Sequence, residues 1–524
     1  MSNFEQYAQA NTSDADLKRR SLQSGLITFA AQPIKLVMGI GATAILARLV
    51  APADFGLLAM VTPLLSLVDS LSNLGLETAT VQQQNLTHRQ ASDAFWLSLK
   101  FNLLIISLMV AMAPVLAWFY GQKELSAITF FMAIGAFSLC LSFQHLALLK
   151  RQMRFNLLMT IEVISIAIAT LCAILAAWLG LGYWALVLQV TVMQIVQSIA
   201  YWLTCDWRPS YDWQSLWGSR KKNHQPLTTE ATTSELKDST DSTRTMLSYG
   251  ANLSGFRFIT RIGMQMDHIL VGYISGATAL GFYDVAYRWA YFPFIQIYTP
   301  LFDVVISSLS RAYADPLTYR RYCRWALMSL FGLCLPSLAF LYVTAKDVLL
   351  ILLGEQWLPA IPIFRLLLVA MFVGTLYRVT KWLYISSGET RRQLRWGLIH
   401  TPIMIASVAI GARWGAYGIA MGYMLGMCIL TYPSVVFCLQ VLPLTMADFF
   451  GAVWPAAIAS LLSALALSII TPLLSTVVTY SLLKLCVQAL LFGIAYCAIW
   501  FFLPGGKQSA AQAIANLKQL SRKA

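Results

Sequence analysis

The chain consists of long apolar stretches that follow one another from about Ser24 to about Leu503, separated by short polar joints. A helix of about 20 to 28 residues, rising about 1.5 Å per residue, crosses the roughly 30 Å hydrocarbon layer of a bilayer. The pattern therefore predicts an all-helical integral membrane protein with about fourteen spans. The predicted spans are residues 24–49, 55–77, 93–119, 125–149, 155–179, 183–205, 247–274, 279–307, 325–345, 360–386, 394–412, 415–440, 447–470 and 480–503.

Composition and charge support this prediction. Hydrophobic residues make up 58% of the chain and charged residues only 11%, which would leave a soluble protein of this size with too little polar surface. The formal net charge is nevertheless +14, and the basic residues fall on alternate joints. These basic groups are Lys18, Arg19 and Arg20; Lys150, Arg151 and Arg154; Arg320, Arg321 and Arg324; and Arg391, Arg392 and Arg395. The positive-inside rule then predicts a multi-pass protein with both termini in the cytoplasm.

The joint near residues 206–246 differs from the others because it is rich in Ser, Thr, Lys, Glu and Asp and has almost no apolar periodicity. We interpret it as a flexible cytoplasmic linker, with a regulatory docking segment as the alternative. The predicted organisation is a cytoplasmic N-terminal segment (1–23), an N-lobe of six helices (24–205), this linker, a C-lobe of six helices (247–440), two extra helices (441–503) and a cytoplasmic tail (504–524).

An internal repeat supports the division into lobes. The sequence RQMRF at 151–155 follows the fourth predicted helix, and RQLRW at 392–396 follows the tenth. A looser match links the first hairpin of each lobe, near residues 45–56 and 269–281. With six helices in each lobe, both lobes enter from the cytoplasm, so we expect two parallel, pseudo-symmetric lobes that enclose a central cavity.

Three segments carry a resemblance to a known family: ARLVAPADFG at 47–56, ALGFYDVAYR at 279–288 and QWLPA at 356–360. They resemble the polysaccharide-transporter branch of the multidrug/oligosaccharidyl-lipid/polysaccharide exporter superfamily, and in particular colanic-acid-exporter-type Wzx proteins of bacterial inner membranes. The resemblance therefore implies a location in the bacterial inner membrane. The resemblance implies a flippase that moves an undecaprenyl-diphosphate-linked oligosaccharide to the periplasmic leaflet by rocking of two six-helix lobes. It also implies that the first two helices of each lobe line the cavity.

Independently of the family, ionisable residues inside predicted spans are informative, because each costs about 2.5 to 3.5 kcal/mol at a helix centre and usually faces a wet cavity or a partner. The basic candidates for binding a diphosphate are Lys35, Arg257, Arg261, Arg288, Arg378 and Lys381. A diphosphate needs fixed cations in a medium of low dielectric constant, and a guanidinium can bind phosphate oxygens bidentately. The alternative is that these cations pair with acids; the acids available are Asp69, Glu77, Glu162, Asp267, Asp284 and Asp303.

Two acids have open roles. Asp267 could couple transport to H⁺ or Na⁺, or it could neutralise a neighbouring Arg. Asp284 is a second candidate for ion coupling, but it also stands four residues before Arg288, in the favourable order for an intrahelical ion pair.

We therefore expect a transporter working by alternating access, with no covalent chemistry and no cofactor other than a coupling ion. The expected partners are lipid-linked oligosaccharide and membrane lipids, with other polysaccharide assembly proteins as further candidates and no nucleic acid. One alternative is a cation-coupled multidrug exporter of the same fold, which the basic excess disfavours. A second alternative is a membrane glycan polymerase or ligase, for which the outward joints are too short.

Overall fold

The computed structural model describes residues 14–72, 80–81, 83, 86–210, 232–477 and 480–503. Within the helices, the side chains of residues 14–31, 70, 232–262, 264, 303, 390 and 475–477 lie outside this description. The secondary structure in the described ranges is helical throughout, with α-helices and two short 3-10 helices and no strand. The predicted all-helical class is therefore confirmed.

The elements follow one another in a simple order. The α-helices are α1 (Asp14–Leu49), α2 (Pro52–Ser72), α3 (His88–Tyr120), α4 (Glu124–Cys140), α5 (Phe143–Arg151), α6 (Phe155–Trp178), α7 (Tyr183–Thr204), α8 (Thr232–Ala312), α9 (Pro316–Val343), α10 (Ala345–Leu352), α11 (Ile361–Ser387), α12 (Thr390–Gly411), α13 (Gly415–Leu439), α14 (Met446–Val477) and α15 (Ser481–Phe502). The 3-10 helices are Glu355–Ala360 and Ala412–Trp414.

The fourteen predicted spans coincide with helix where the structure describes them; residues 73–77, at the end of the second span, lie outside the described residues. Eleven helical segments of the described chain are long and apolar enough to cross a membrane. The fourth predicted span is divided into α4 and α5. The seventh and eighth run together as α8, but Gly276 interrupts the helical backbone with φ 79° and ψ −178°. Because this conformation is costly for a residue with a Cβ, Gly276 fixes the point at which the two predicted helices meet.

The ninth predicted helix begins earlier in the structure than the hydropathy indicates. The expected start was near residue 325, whereas α9 starts at Pro316. Asp315 caps this start, since its carboxylate accepts a hydrogen bond from the Leu317 N–H at 3.1 Å and Pro316 occupies the first turn. A hydrogen bond from the Thr318 hydroxyl to the same carboxylate lowers the pKa of Asp315. The polar first turns of α9 are thus set by capping chemistry, which a hydropathy pattern does not register.

The chain divides into two compact units after Gln265. In the first unit, α6 packs against α1 and α7, and α4 packs against α3 and α7. Its buried apolar cluster includes Phe95, Leu148, Ile161 and Trp207. The lipid around such helices is as apolar as their side chains, so close packing contributes most of the helix association.

The second unit has its own packing. Helix α13 lies against α11 and α12, and α14 lies against α9 and α15. A large buried cluster joins these helices and includes Phe331, Trp382, Tyr384 and Phe449. The predicted boundaries of the lobes, the linker and the tails stay a prediction.

Candidate functional site

Among the candidate cations of the first unit, Lys35 on α1 is the one whose side chain the structure describes. Its Nζ lies 2.6 Å from Glu162 Oε2 on α6, and the two side chains are 15% and 35% exposed. Lys35 is therefore paired with an acid in this structure, which is the alternative to binding a diphosphate. The positive charge near the middle of α1 is neutralised by a carboxylate from a helix packed against it.

Two other candidates, Arg257 and Arg261, lie on α8, but their side chains are outside the described part of the structure. Their spacing of four residues on a helix places them on one face. Their role in binding a diphosphate stays a prediction.

Asp284 and Arg288 form the intrahelical ion pair that their spacing allows. Arg288 Nη2 lies 2.5 Å from Asp284 Oδ2; the Asp284 side chain is buried, whereas that of Arg288 is 49% exposed. The guanidinium of Arg288 thus lies between the buried Asp284 carboxylate and the surface of the second unit.

The same carboxylate belongs to a larger buried group, which we call the His268 cluster: Asp267, His268, Tyr283, Asp284 and Arg288. His268 Nδ1 lies 3.1 Å from Asp267 Oδ1, and His268 Nε2 lies 3.4 Å from Asp284 Oδ1. The Tyr283 hydroxyl donates a hydrogen bond of 2.9 Å to Asp267 Oδ2. The imidazole is therefore held between two carboxylates, one of which belongs to the helical segment before Gly276 and the other to the segment after it.

Arg378 on α11 has a different environment. Its guanidinium carbon lies 5.4 Å from the ring centre of Tyr291 and 5.3 Å from that of Phe294, both on α8. Its Nη2 donates a long hydrogen bond of 3.4 Å to the Tyr423 hydroxyl on α13. We call Arg378 with these three rings the Arg378 site.

Among the described side chains, the Arg378 site has no counter-charge. Nη1 is buried without a hydrogen-bond acceptor, and Arg378 pairs with none of the carboxylates whose side chains the structure describes. Cation–π contacts offset part of the desolvation of a buried guanidinium, but they leave its hydrogen-bonding capacity free. An Arg in this condition is suited to receive an anion.

Gly374 makes room for this guanidinium. A Cβ added at Gly374, one turn before Arg378 on α11, would lie 2.7 Å from Arg378 Nη1. That separation is shorter than van der Waals contact, so any larger residue at position 374 would displace the Arg378 head group.

Lys381 lies on the same helix but is exposed, with its Nζ 5.4 Å from the ring centre of Phe302. The sequence placed Arg378 and Lys381 together because of their i,i+3 spacing. In the structure the two head groups contact different rings, so they form no joint site with each other.

The sequence interpretation did not include His268, Tyr291, Phe294 or Tyr423. A signal for part of this set exists, because Tyr283, Tyr287 and Tyr291 recur every four residues and share one helix face. These rings stack in the structure, with Tyr287 and Tyr291 centred 6.1 Å apart. The approach of Tyr423 from α13 has no local signature, since it depends on packing between helices distant in sequence.

Comparison with known proteins assigns the family. A model of a polysaccharide biosynthesis protein family matches residues 45–217 and 228–362, more than half of the chain. The chain belongs to this polysaccharide biosynthesis family. Family membership confirms the resemblance found in the sequence.

Curated relatives in this family include the teichuronic acid biosynthesis protein TuaB of Bacillus subtilis, 24% identical over 371 residues that cover 69% of this chain and 72% of TuaB. The lipopolysaccharide biosynthesis protein WzxC of Escherichia coli is 21% identical over 421 residues, covering 80% of each chain. The succinoglycan biosynthesis transport protein ExoT of Rhizobium meliloti is 23% identical over 399 residues, covering 75% of this chain and 74% of ExoT.

Solved structures of similar fold are transporters. The lipid II flippase MurJ in an inward closed conformation matches 92% of this chain and 98% of its own, with a TM-score of 0.62 and 14% identity. An inward-facing multidrug resistance transporter of the MATE family matches 77% and 93%, with a TM-score of 0.56 and 15% identity. At these identities the likeness shows a shared fold, which is that of the superfamily named from the sequence.

Proposed function

We propose that this member of the polysaccharide biosynthesis family is a flippase. It moves undecaprenyl-diphosphate-linked oligosaccharide repeat units from the cytoplasmic to the periplasmic leaflet of the bacterial inner membrane. Family membership, the names of WzxC, TuaB and ExoT, and the MurJ-like fold support this proposal.

The observation that carries the proposal is the Arg378 site. A diphosphate is a compact anion that enters a low-dielectric region only beside fixed positive charge. Arg378 supplies such a charge inside a membrane span, with a buried N–H group that has no acceptor in the described part of the chain. A guanidinium can hold phosphate oxygens with two parallel hydrogen bonds. The surrounding rings of Tyr291 and Tyr423 offer flat surfaces and hydroxyl groups for the first sugar.

The other predicted cations differ in how readily they could bind a cargo phosphate. Arg257 and Arg261 are proposed as further phosphate ligands on α8. Lys35 and Arg288 already face carboxylates at 2.6 Å and 2.5 Å, so a cargo phosphate would have to compete with Glu162 or Asp284.

The mechanism that fits this proposal is alternating access without covalent chemistry. The alternate basic joints support cytoplasmic termini and an inner-membrane location. Arg378 would bind the diphosphate on one side and release it on the other, which requires an affinity that is moderate in both states. Asp267 and Asp284 are proposed to couple this cycle to a monovalent cation, and other polysaccharide assembly proteins are proposed to deliver or receive the cargo.

A deletion strain tests the function directly. Loss of the gene should remove the surface polysaccharide and cause undecaprenyl-diphosphate-linked repeat units to accumulate at the cytoplasmic face, measured by mass spectrometry of extracted lipids. Expression of the wild-type protein should reverse both effects. A deletion strain with normal surface polysaccharide and no accumulated intermediate would contradict the proposal.

The MATE-like fold keeps one alternative, a cation-coupled multidrug exporter. Such a protein needs unneutralised acids to attract organic cations, whereas the buried acids Asp267 and Asp284 each face His268, and Asp284 also faces Arg288. A susceptibility screen discriminates the two functions. Resistance to lipophilic cations without a polysaccharide phenotype would favour the drug exporter.

A further inference from the structure

The His268 cluster contains more carboxylates than permanent cations. Asp267 and Asp284 contribute two negative charges, and Arg288 contributes one positive charge. The side chains of Asp267, His268 and Asp284 are all buried, at 7% exposure or less. The five side chains of the cluster together carry a charge of −1, and one additional proton makes them neutral. The proton is favoured because an uncompensated charge in such a buried place is costly.

The geometry places that proton on the imidazole. Both ring nitrogens of His268 face carboxylate oxygens, at 3.1 Å and 3.4 Å. A neutral imidazole has a single N–H, so one of the two contacts would then bring together two acceptors. The imidazolium form donates to both carboxylates and satisfies the whole arrangement. Protonation forms one N–H bond on His268 with a proton taken from water, and no group is oxidised or reduced.

The cluster is connected to the Arg378 site through two tyrosines. The ring of Tyr287 lies edge-on to His268 with the centres 5.2 Å apart, and its centre lies 6.2 Å from that of Tyr423. Tyr423 in turn accepts the hydrogen bond from Arg378. These contacts run through the interior of the second unit, where the dielectric constant is low, so a change of one charge at His268 acts on Arg378.

We propose that His268 is a proton-binding site whose occupancy is linked to anion binding at Arg378. This inference rests on the proposed function, because it takes Arg378 as the place where the anion binds. Loss of the proton leaves a net charge of −1 near Arg378 and repels an anion there. Proton binding and anion binding therefore favour each other, and the linkage is reciprocal. A transmembrane proton gradient could in this way bias the side on which cargo binds.

Other ionisable groups surround this path and contribute to its electrostatics. They are Asp267, Tyr283, Asp284, Tyr287, Arg288 and Tyr291 on α8, Tyr377 and Arg378 on α11, His400 on α12 and Tyr423 on α13. His400 stacks on Tyr377 with the ring centres 4.3 Å apart, so it faces that ring and not His268. Arg288, which is 49% exposed, lies at the edge of the His268 cluster.

The protonation state of His268 is measured first, independently of any ligand. The full chain in lipid nanodiscs is labelled with ¹⁵N-histidine, and the His268 signals are assigned by their loss in His268→Gln, among five histidines in all. We expect the spectrum of an imidazolium at pH 7. A neutral imidazole at that pH would overturn the proposal.

The linkage is measured with methanedisulfonate, a small dianion that does not titrate near neutral pH, by calorimetry on the full chain. His268→Gln fixes the cluster at a charge of −1 and should weaken binding by about fivefold or more. The double variant His268→Gln/Asp284→Asn returns the cluster to neutrality without a proton site. It should bind within about twofold of the wild type, because neutrality, and not the imidazole itself, supports the anion.

The outcomes separate the linkage from the proposed function. Binding that is lost in Arg378→Gln but unchanged in His268→Gln keeps the anion site and overturns the linkage. A double variant as weak as His268→Gln also overturns it, since His268 would then act only through packing. Absence of binding by the wild type would remove the anion site, and with it both the proposed cargo recognition and the linkage.

Discussion

Lys35 in the first unit and Arg378 in the second unit differ in whether a described carboxylate neutralises them. In the first unit, Lys35 meets Glu162 at 2.6 Å, so a cation from one helix is cancelled by an anion from another. In the second unit, Lys484 Nζ likewise lies 3.1 Å from Asp347 Oδ2, and Asp267 and Asp284 lie beside His268. Arg378 of the same unit lies among aromatic rings and pairs with none of the described carboxylates. Charge separation of this kind is costly in a membrane, which indicates that it is retained for function.

The comparison indicates where the binding energy for cargo resides. A neutralised pair such as Lys35–Glu162 can hold two helices together, but it presents little net field to a diphosphate. A lone guanidinium presents a full charge and unused N–H groups. Substitutions at the Arg378 site should therefore affect export, whereas those at the ion pair of the first unit should affect mainly stability.

Replacing Arg378 should have the largest effect. Arg378→Gln removes the charge, and hydrogen bonds to charged groups contribute about 1.5 to 3 kcal/mol. Export of surface polysaccharide in a complemented deletion strain should fall about ten- to hundredfold. Arg378→Lys keeps the charge but not the planar fork, so we expect partial activity. Equal export by the wild type and Arg378→Gln, at matched protein levels in the membrane, would refute the claim that Arg378 binds the cargo.

Displacing the guanidinium without removing it should have a smaller effect. A Cβ at position 374 would lie 2.7 Å from Arg378 Nη1, and the end of a flexible side chain can move away. Gly374→Ala should therefore insert normally and reduce export about three- to tenfold. The matched control is Gly397→Ala on α12, where an added Cβ has no neighbour within 4 Å. The same loss in both variants would assign it to helix packing in general.

Breaking the ion pair of the first unit should act on stability. Glu162→Gln leaves Lys35 without its carboxylate and should lower the free energy of unfolding by about 1 kcal/mol, a modest value because Glu162 is 35% exposed. The double variant Lys35→Met/Glu162→Met should recover stability in thermal unfolding and keep export within about twofold. Loss of export in the double variant despite normal stability would show that Lys35 contacts cargo.

Lys381 should have the smallest effect. It is exposed and contacts the Phe302 ring at 5.4 Å, apart from the Arg378 site. Lys381→Gln should change export by less than about twofold, since Lys381 takes no part in the Arg378 site. A defect as large as that of Arg378→Gln would mean that the two cations act together, as their i,i+3 spacing suggested.

The sequence was sufficient for the helices and for local pairs. Apolar length located the fourteen helical segments, and the i,i+4 spacing of Asp284 and Arg288 identified their ion pair. The start of α9 at Pro316 was not predicted, because hydropathy does not measure the hydrogen bond by which Asp315 caps this helix. The joint between the seventh and eighth predicted spans, residues 275–278, contains Gly276, where the helical backbone of α8 is interrupted.

Contacts between distant helices could not be predicted. The sequence offered Glu162 as one of six acids for Lys35, across 127 residues, and only packing of α1 on α6 selects it. Likewise, Tyr423 reaches Arg378 from 45 residues away. His268 escaped notice because a single histidine in an apolar helix has no pattern of its own; its significance comes from the two carboxylates that the structure places beside it.

The most direct test of the account is transbilayer movement of a lipid-linked oligosaccharide in reconstituted vesicles. A fluorescent undecaprenyl-diphosphate oligosaccharide is incorporated, and its exposure to an impermeant quencher is followed over time. The account predicts rapid exposure of the inner-leaflet lipid with the wild-type protein and little more than the protein-free rate with Arg378→Gln. Equal rates for the two proteins would contradict the central claim that Arg378 carries the diphosphate across.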